Sequence, residues 1–260
     1  MNALKTCLLL AAAFGISANV AAAETPPMVA ESARAIPVVY DVDVVVVGGS
    51  TGGVSAAIAA AQAGAKVFLA APRPYLGEDM GATLRLWLEE GETPASPLAR
   101  QIFSVQAEPP AAAAPPKDFA RLAKPLHVKR TLDQALLAAK VDFLFGCYAT
   151  EILRDDAGNP CGVVIANRSG RQAVLAKVLI DATDRAWVAR MAGAQFQPYP
   201  RGPQTFTRVV VGGEPKEGEG LAVRKVGLSF AAGAKRHDVF EYTIRVPMAG
   251  GSWAALAEAD

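Results

Sequence analysis

Residues Asp41–Ala71 read DVDVVVVGGSTGGVSAAIAAAQAGAKVFLAA, and no other stretch restricts the fold of this chain so sharply. Val44–Val47 is an unbroken β-branched run, short and stiff at χ1, which predicts a buried strand. The run stops at Gly48-Gly49-Ser50-Thr51-Gly52-Gly53, and an alanine-rich helical pattern follows from Val54 to about Ala63. Gly64 supplies a left-handed helix end, and Lys66–Leu69 is a second buried strand. Strand, glycine turn, helix and strand within about thirty residues make a βαβ unit. Its strands are expected to lie parallel with a right-handed crossover.

The physics of that turn points to a phosphate. The first helical turn has N–H groups without helical partners, and the helix dipole adds partial positive charge there. Glycines let the main chain approach a pyrophosphate closely. In G-x-G-x-x-G register Gly48 makes the tight turn and Gly53 lets helix and strand pack, while Ser50 replaces the second glycine. The Ser50 hydroxyl can donate to a phosphate oxygen. An acid normally ends the second strand, roughly twenty residues on, to take the ribose hydroxyls. Here that end reads Leu69-Ala70-Ala71-Pro72-Arg73. Arg73 suits a ribose 2′-phosphate, as in NADP binding, or the pyrophosphate, or is a solvated loop arginine.

Met1–Ala23 is set apart from the fold. Lys5, a short apolar stretch over Leu8–Ile16 and Ala21-Ala22-Ala23 before Glu24 read as an export signal cleaved near Ala23, with an uncleaved N-terminal anchor as the alternative. The mature protein is expected to be periplasmic or secreted, with no membrane segment once the signal is removed. Residues 24–37 are a linker. With 260 residues, 52% apolar, and a net charge of +1, the chain has ample core and no bias toward nucleic acid or an anionic membrane. Arg73–Leu88 is a loop at the carboxyl edge of the sheet running into an apolar segment. Glu108–Lys117, EPPAAAAPPK, is a Pro/Ala-rich exposed connection that suits neither strand nor helix.

Arg130–Ala139 has helical spacing, with Thr131 as its N-cap. Strands are expected at Val141–Phe145, Tyr148–Leu153 and Gly162–Ala166, with a turn at Asp155–Pro160. A further strand at Gln172–Leu175 completes an antiparallel meander, placed before another parallel strand that begins at Val178. That last strand runs into Asp181-Ala182-Thr183-Asp184.

Four stretches together are similar to one family: Val44–Gly53, Arg130-x-x-Asp133-x-x-Leu136, the meander, and Val178–Asp184. The chain resembles FAD-dependent oxidoreductases of the two-dinucleotide-binding-domain kind, in the branch with a GGxxGG-type loop. The resemblance implies that Gly48, Gly49, Ser50, Thr51, Gly52 and Gly53 embrace the FAD pyrophosphate. It implies that Ala182 and Thr183 pass close to pyrophosphate and ribose, with Asp184 in place of the usual glycine. It also implies that the Ala149 backbone meets adenine and that Arg130 lies near the flavin; read from the residues alone, Arg130 equally suits a solvated helix start.

The implied fold is α/β: a Rossmann-like parallel sheet over residues 38–195 with an inserted antiparallel meander, and a partial β-rich substrate-side domain over 196–260. In the second domain Phe196–Gly213, Val223–Phe230 and Val239–Val246 alternate as antiparallel strands do. The implied activity is hydride transfer between a small-molecule substrate and bound FAD. NADP-dependent reduction and a non-catalytic remnant are the alternatives. Relatives continue past the point where this chain stops, so a truncated chain, a partner chain supplying the missing half, or a lost cofactor is expected.

The remaining chemistry-bearing residues point elsewhere. Cys147 and Cys161 sit on opposed meander strands, with Cys161 facing about Leu153 and Cys147 about Asn167. About six residues of strand put them roughly 20 Å apart, beyond disulfide reach, so two free thiols are expected. His127, after Pro125-Leu126, reads as a surface-loop histidine, and neither it nor His237 has metal-ligand spacing. Gly48-Gly49-Ser50-Thr51-Gly52 matches a nucleophile-elbow string but has no triad partners.

Overall fold

The computed structural model describes residues 29–259 apart from 32, 105–120, 198 and 233. The expected export signal and the Pro/Ala tract lie outside the described residues. Residues 33–37 carry no helix or strand.

The βαβ unit forms as its sequence requires. Strand β1 (Val38–Val47) feeds helix α1 (Thr51–Gln62), and β2 (Val67–Ala71) follows, parallel to β1. Gly64 has φ +91° just past the helix end. The helix begins at Thr51 rather than Val54, because Ser50 caps it by accepting from the Gly53 N–H. Gly52 and Gly53 are therefore inside its first turn. Strand β1 is also longer than the valine run. Asp43 is tolerated within it because its carboxylate takes the Lys66 N–H at 2.8 Å and the Lys177 ammonium at 2.7 Å.

After β2 come two short helices, α2 (Glu78–Gly81) and α3 (Pro97–Ile102), then the longer α4 (Pro125–Ala138). Here three expectations are corrected. Pro125 occupies the first turn of α4, where its missing N–H costs nothing, so the helix starts well before Arg130. Thr131 is consequently not a cap but a buried residue inside the helix. His127 lies in the first turn of the helix rather than in a loop, with its Nε2 2.9 Å from the Gln101 carbonyl.

Strand β3 (Asp142–Phe145) pairs parallel with β2, and β4 (Tyr148–Arg154), β5 (Pro160–Asn167) and β6 (Gly170–Asp181) complete a six-stranded sheet. Its order is β3-β2-β1-β6-β5-β4. A further correction concerns β6, where the sequence predicts two strands. One continuous strand pairs antiparallel with β5 through Leu175 and parallel with β1 as far as Asp181. The meander and the parallel sheet thus share it, and it leads without a break to Ala182.

Val44 and Val46 pack with Leu69, Leu132 and Leu136 on the α1 and α4 side of the sheet. Val45 and Val47 pack with Phe68, Val163 and Ile165 on the meander side. Burial on both faces is what a continuous apolar strand demands. Both cysteines of the meander are free. Cys147 is buried beside Asn167, whose Nδ2 is 3.5 Å from its Sγ, as the expected register requires.

Short helix α5 (Trp187–Met191) leads to a second sheet of β7 (Gly202–Val211), β8 (Leu221–Ala232) and β9 (Lys235–Met248), and α6 (Trp253–Ala259) follows. This sheet is antiparallel, in the order β7-β9-β8. Both sheets belong to one unit, Ile36–Asp260, and Phe230 of β8 packs against the Leu132 side of the core.

Candidate functional site

Strands β1 and β6 end side by side, and the two turns that leave them touch. At Gly48, φ is +117° and an added Cβ would lie 2.3 Å from the Ala182 oxygen. A Cβ at Gly53 would lie 2.5 Å from the Gly48 oxygen and 2.9 Å from the Ala182 Cβ. These two glycines therefore serve the contact between turns. Ser50 ties the same junction: its Oγ donates to the Ala182 carbonyl at 3.1 Å and accepts from the Gly53 N–H at 3.1 Å. The Ser50 hydroxyl proton, expected on a phosphate, is thus held by Ala182.

The second turn is braced by a residue the motif reading passed over. Asp181 accepts from the Thr183 N–H at 2.9 Å, the Thr183 hydroxyl at 2.6 Å and the Ala189 N–H at 2.8 Å. Thr183 Oγ1 in turn accepts from the Trp187 N–H at 2.8 Å. An acid two residues before a threonine is the signal for such a side-chain turn.

A cavity of about 1330 Å³ opens in front of these turns, larger than a typical drug-sized pocket. Ser50, Thr51 and Gly52 border it at the head of α1; Ala182, Thr183 and Asp184 border it after β6. Ala149 on β4 and Arg73 after β2 border it as well. Gly48, Gly49 and Gly53 stand behind this wall, and Gly49 has Ala71 Cβ and Leu76 Cδ2 3.2 Å from where its own Cβ would be. Arg130 does not join them: it is exposed on α4 and borders no part of the cavity.

Two acids at the glycine loop were not anticipated. The Gly77 N–H donates to the Gly49 carbonyl at 2.7 Å, and φ +76° at Gly77 turns the chain into α2 over the loop. Asp79 then accepts from the Thr51 N–H at 2.9 Å and from the Thr51 hydroxyl. Glu78, with its side chain 15% exposed, lies 3.8 Å from Arg73. Burial pushes the Glu78 carboxyl above its ordinary range; Arg73 and the Gly49 N–H pull the other way, and the charges of Asp184 and Asp79 add to the rise. Gly-Glu-Asp, acidic at a helix start, was the available signal. Among the described residues no group of three or more His, Cys, Asp and Glu could hold a metal.

Another wall comes from the second sheet: Thr207, Arg208, Val209 and Glu241 border the cavity, as do Leu84 and Arg85. It is joined to the loop after α2 by alternating charges. Arg85 reaches Glu89 at 2.9 Å and Glu241 at 3.9 Å, and Arg224 bonds both Glu89, at 3.0 Å, and Glu241. Hydrogen bonds from Arg224 first and Trp87 second hold the Glu89 carboxyl down at about 2.

Solved structures share this fold. The crystal structure of AlpK superposes with a TM-score of 0.54 at 18% identity, covering 80% of this chain and 45% of that one. BexE gives 0.51 at 18% identity, covering 77% and 43%. A geranylgeranyl bacteriochlorophyll reductase-like protein of Thermoplasma acidophilum gives 0.50 at 19% identity, covering 80% and 57%. The chain thus spans about half the length of these solved relatives. No curated protein matches it. The family model of the FAD dependent oxidoreductases matches residues 43–204, a segment that holds the glycine loop, the meander and the Ala182 turn. By that match the chain belongs to the FAD dependent oxidoreductase family.

Proposed function

We propose that FAD binds in the cavity at the head of α1, and that the chain is exported and passes hydride between a small-molecule substrate and the flavin. The observation that carries this reading is the junction at Ala182, where Gly48, Gly53 and Ser50 bring both signature turns to one cavity wall. The residues present fit a dinucleotide. A Cβ at Gly52 would meet only Ser50 Oγ, at 3.7 Å, so α1 is open to a phosphate at Gly52. Arg73 and Arg185 bring positive charge to the same cavity. The turn at Ala182 and Thr183 suits the pyrophosphate and ribose, and the Ala149 backbone suits adenine.

Bound flavin would supply the two-electron chemistry, while the protein supplies position and electrostatics. Asp181 fixes the Thr183 turn, so the wall facing the ligand needs little reorganisation on binding. Val47, Leu84 and Val209 give the cavity apolar surface that excludes water. A nicotinamide dinucleotide is the second reading, favoured by Arg73 at the cavity rim where Ala71 replaces the ribose acid.

Competitive calorimetry with FAD and NADPH separates the two. The proposal expects micromolar or tighter FAD binding that NADPH does not displace. Binding of NADPH with none of FAD would replace it with the nicotinamide reading. Export is tested separately, by sequencing the amino terminus of protein recovered from the periplasm or medium: Glu24 is expected first, and an intact Met1 would contradict cleavage.

A further inference from the structure

The first turn of α1 already holds an anion from its own chain. Asp79 takes the Thr51 N–H at 2.9 Å and the Thr51 hydroxyl as well, and Ser50 Oγ takes the Gly53 N–H at 3.1 Å. The backbone places Asp79 there, through the 2.7 Å bond from the Gly77 N–H to the Gly49 carbonyl. A side chain at Gly77 would press on Leu132 Cδ1 at 2.7 Å, so that approach depends on glycine. Glu78 and Asp184 add negative charge around the same cavity. A carboxylate and a phosphate oxygen draw on the same helix-end donors and the same dipole.

We propose that Asp79 competes with the pyrophosphate of the dinucleotide for the head of α1 and so sets the affinity for the cofactor. The proposal rests on the cofactor reading above. A phosphate approaching Gly52 meets the Asp79 charge on the neighbouring Thr51 donor. It binds only after that carboxylate turns aside, or against its repulsion. A plain structural cap makes the opposite prediction, because losing it would loosen the loop and weaken binding.

Asp79→Asn keeps a carbonyl oxygen for the Thr51 N–H and removes the charge. Titration of FAD into the full chain, followed by flavin fluorescence, is expected to give a dissociation constant roughly tenfold tighter in Asp79→Asn. Thr51→Ala removes the hydroxyl that holds the carboxylate and leaves the N–H, so a smaller tightening, about threefold, is expected there. Should one variant fail to fold, the other decides. An unchanged or weaker affinity in the folded variants overturns the proposal. Failure of the unmodified chain and of both variants to bind FAD overturns the cofactor reading instead.

Discussion

The two walls of the cavity are held by different forces. The wall at the ends of β1 and β6 rests on strands buried on both faces and on turns that meet backbone to backbone, at Gly48, Gly53 and Ala182. The wall at β7 to β9 meets the rest through Phe230, packed on the Leu132 core, and through Arg85, Glu89, Arg224 and Glu241, of which Arg224 and Glu89 have side chains 49% and 42% exposed. Close packing has no slack and is insensitive to salt, whereas exposed ion pairs are weak and screened. The first wall is therefore the stiffer, and the ion-paired edge of the second is the part that can yield.

The largest effect is expected where packing is tightest. Gly48→Val puts a Cβ 2.3 Å from the Ala182 oxygen and forces a β-branched residue to φ +117°. It should cost about 3 kcal/mol or more in urea unfolding, with loss of dinucleotide binding. A variant as stable as the parent would show that the turns do not touch.

Ser50→Ala is expected to cost less. It removes the cap on Gly53 and the bond to Ala182, together about 1–2 kcal/mol by the same measurement. A cost within experimental error would mean the glycines alone hold the junction.

The smallest effect belongs to the ion-paired edge. Arg224→Ala should cost under about 1 kcal/mol at low salt and nothing measurable at about 1 M salt. Its pH dependence has a definite sign. The Glu89 carboxyl titrates at about 2 in the folded protein against an ordinary 4.5. Its contribution is therefore complete above pH 4.5 and disappears as pH falls toward 2. The melting-temperature gap between the parent and Glu89→Gln should close over that interval. A gap that persists at the acid end would place the Glu89 effect in packing rather than charge.

The contrast also explains what could be read from sequence. The βαβ unit was legible because Val44–Val47 and the glycine turn encode strand and turn locally. The Ala182 turn was legible as the end of a buried strand. The continuity of β6 was not, since it exists only through two different partners, β5 and β1. The start of α4 was hidden because Pro125 looks like a breaker, although the same residue is suited to a helix first turn. Glu78 and Asp79 enter the site through one backbone hydrogen bond, Gly77 to Gly49, between residues distant in sequence. Arg130 stands apart from the cavity for the converse reason. Its place on α4 is set by the buried face of Val128, Leu132 and Leu136, which turns the arginine outward.

The central claim is that the cavity at the head of α1 holds a flavin, and the absorbance spectrum of the purified chain 24–260 tests it most directly. After incubation with FAD and passage through a desalting column, the two visible bands of oxidised flavin should stay with the protein. A colourless protein that takes up no FAD even at high micromolar concentration would contradict the account.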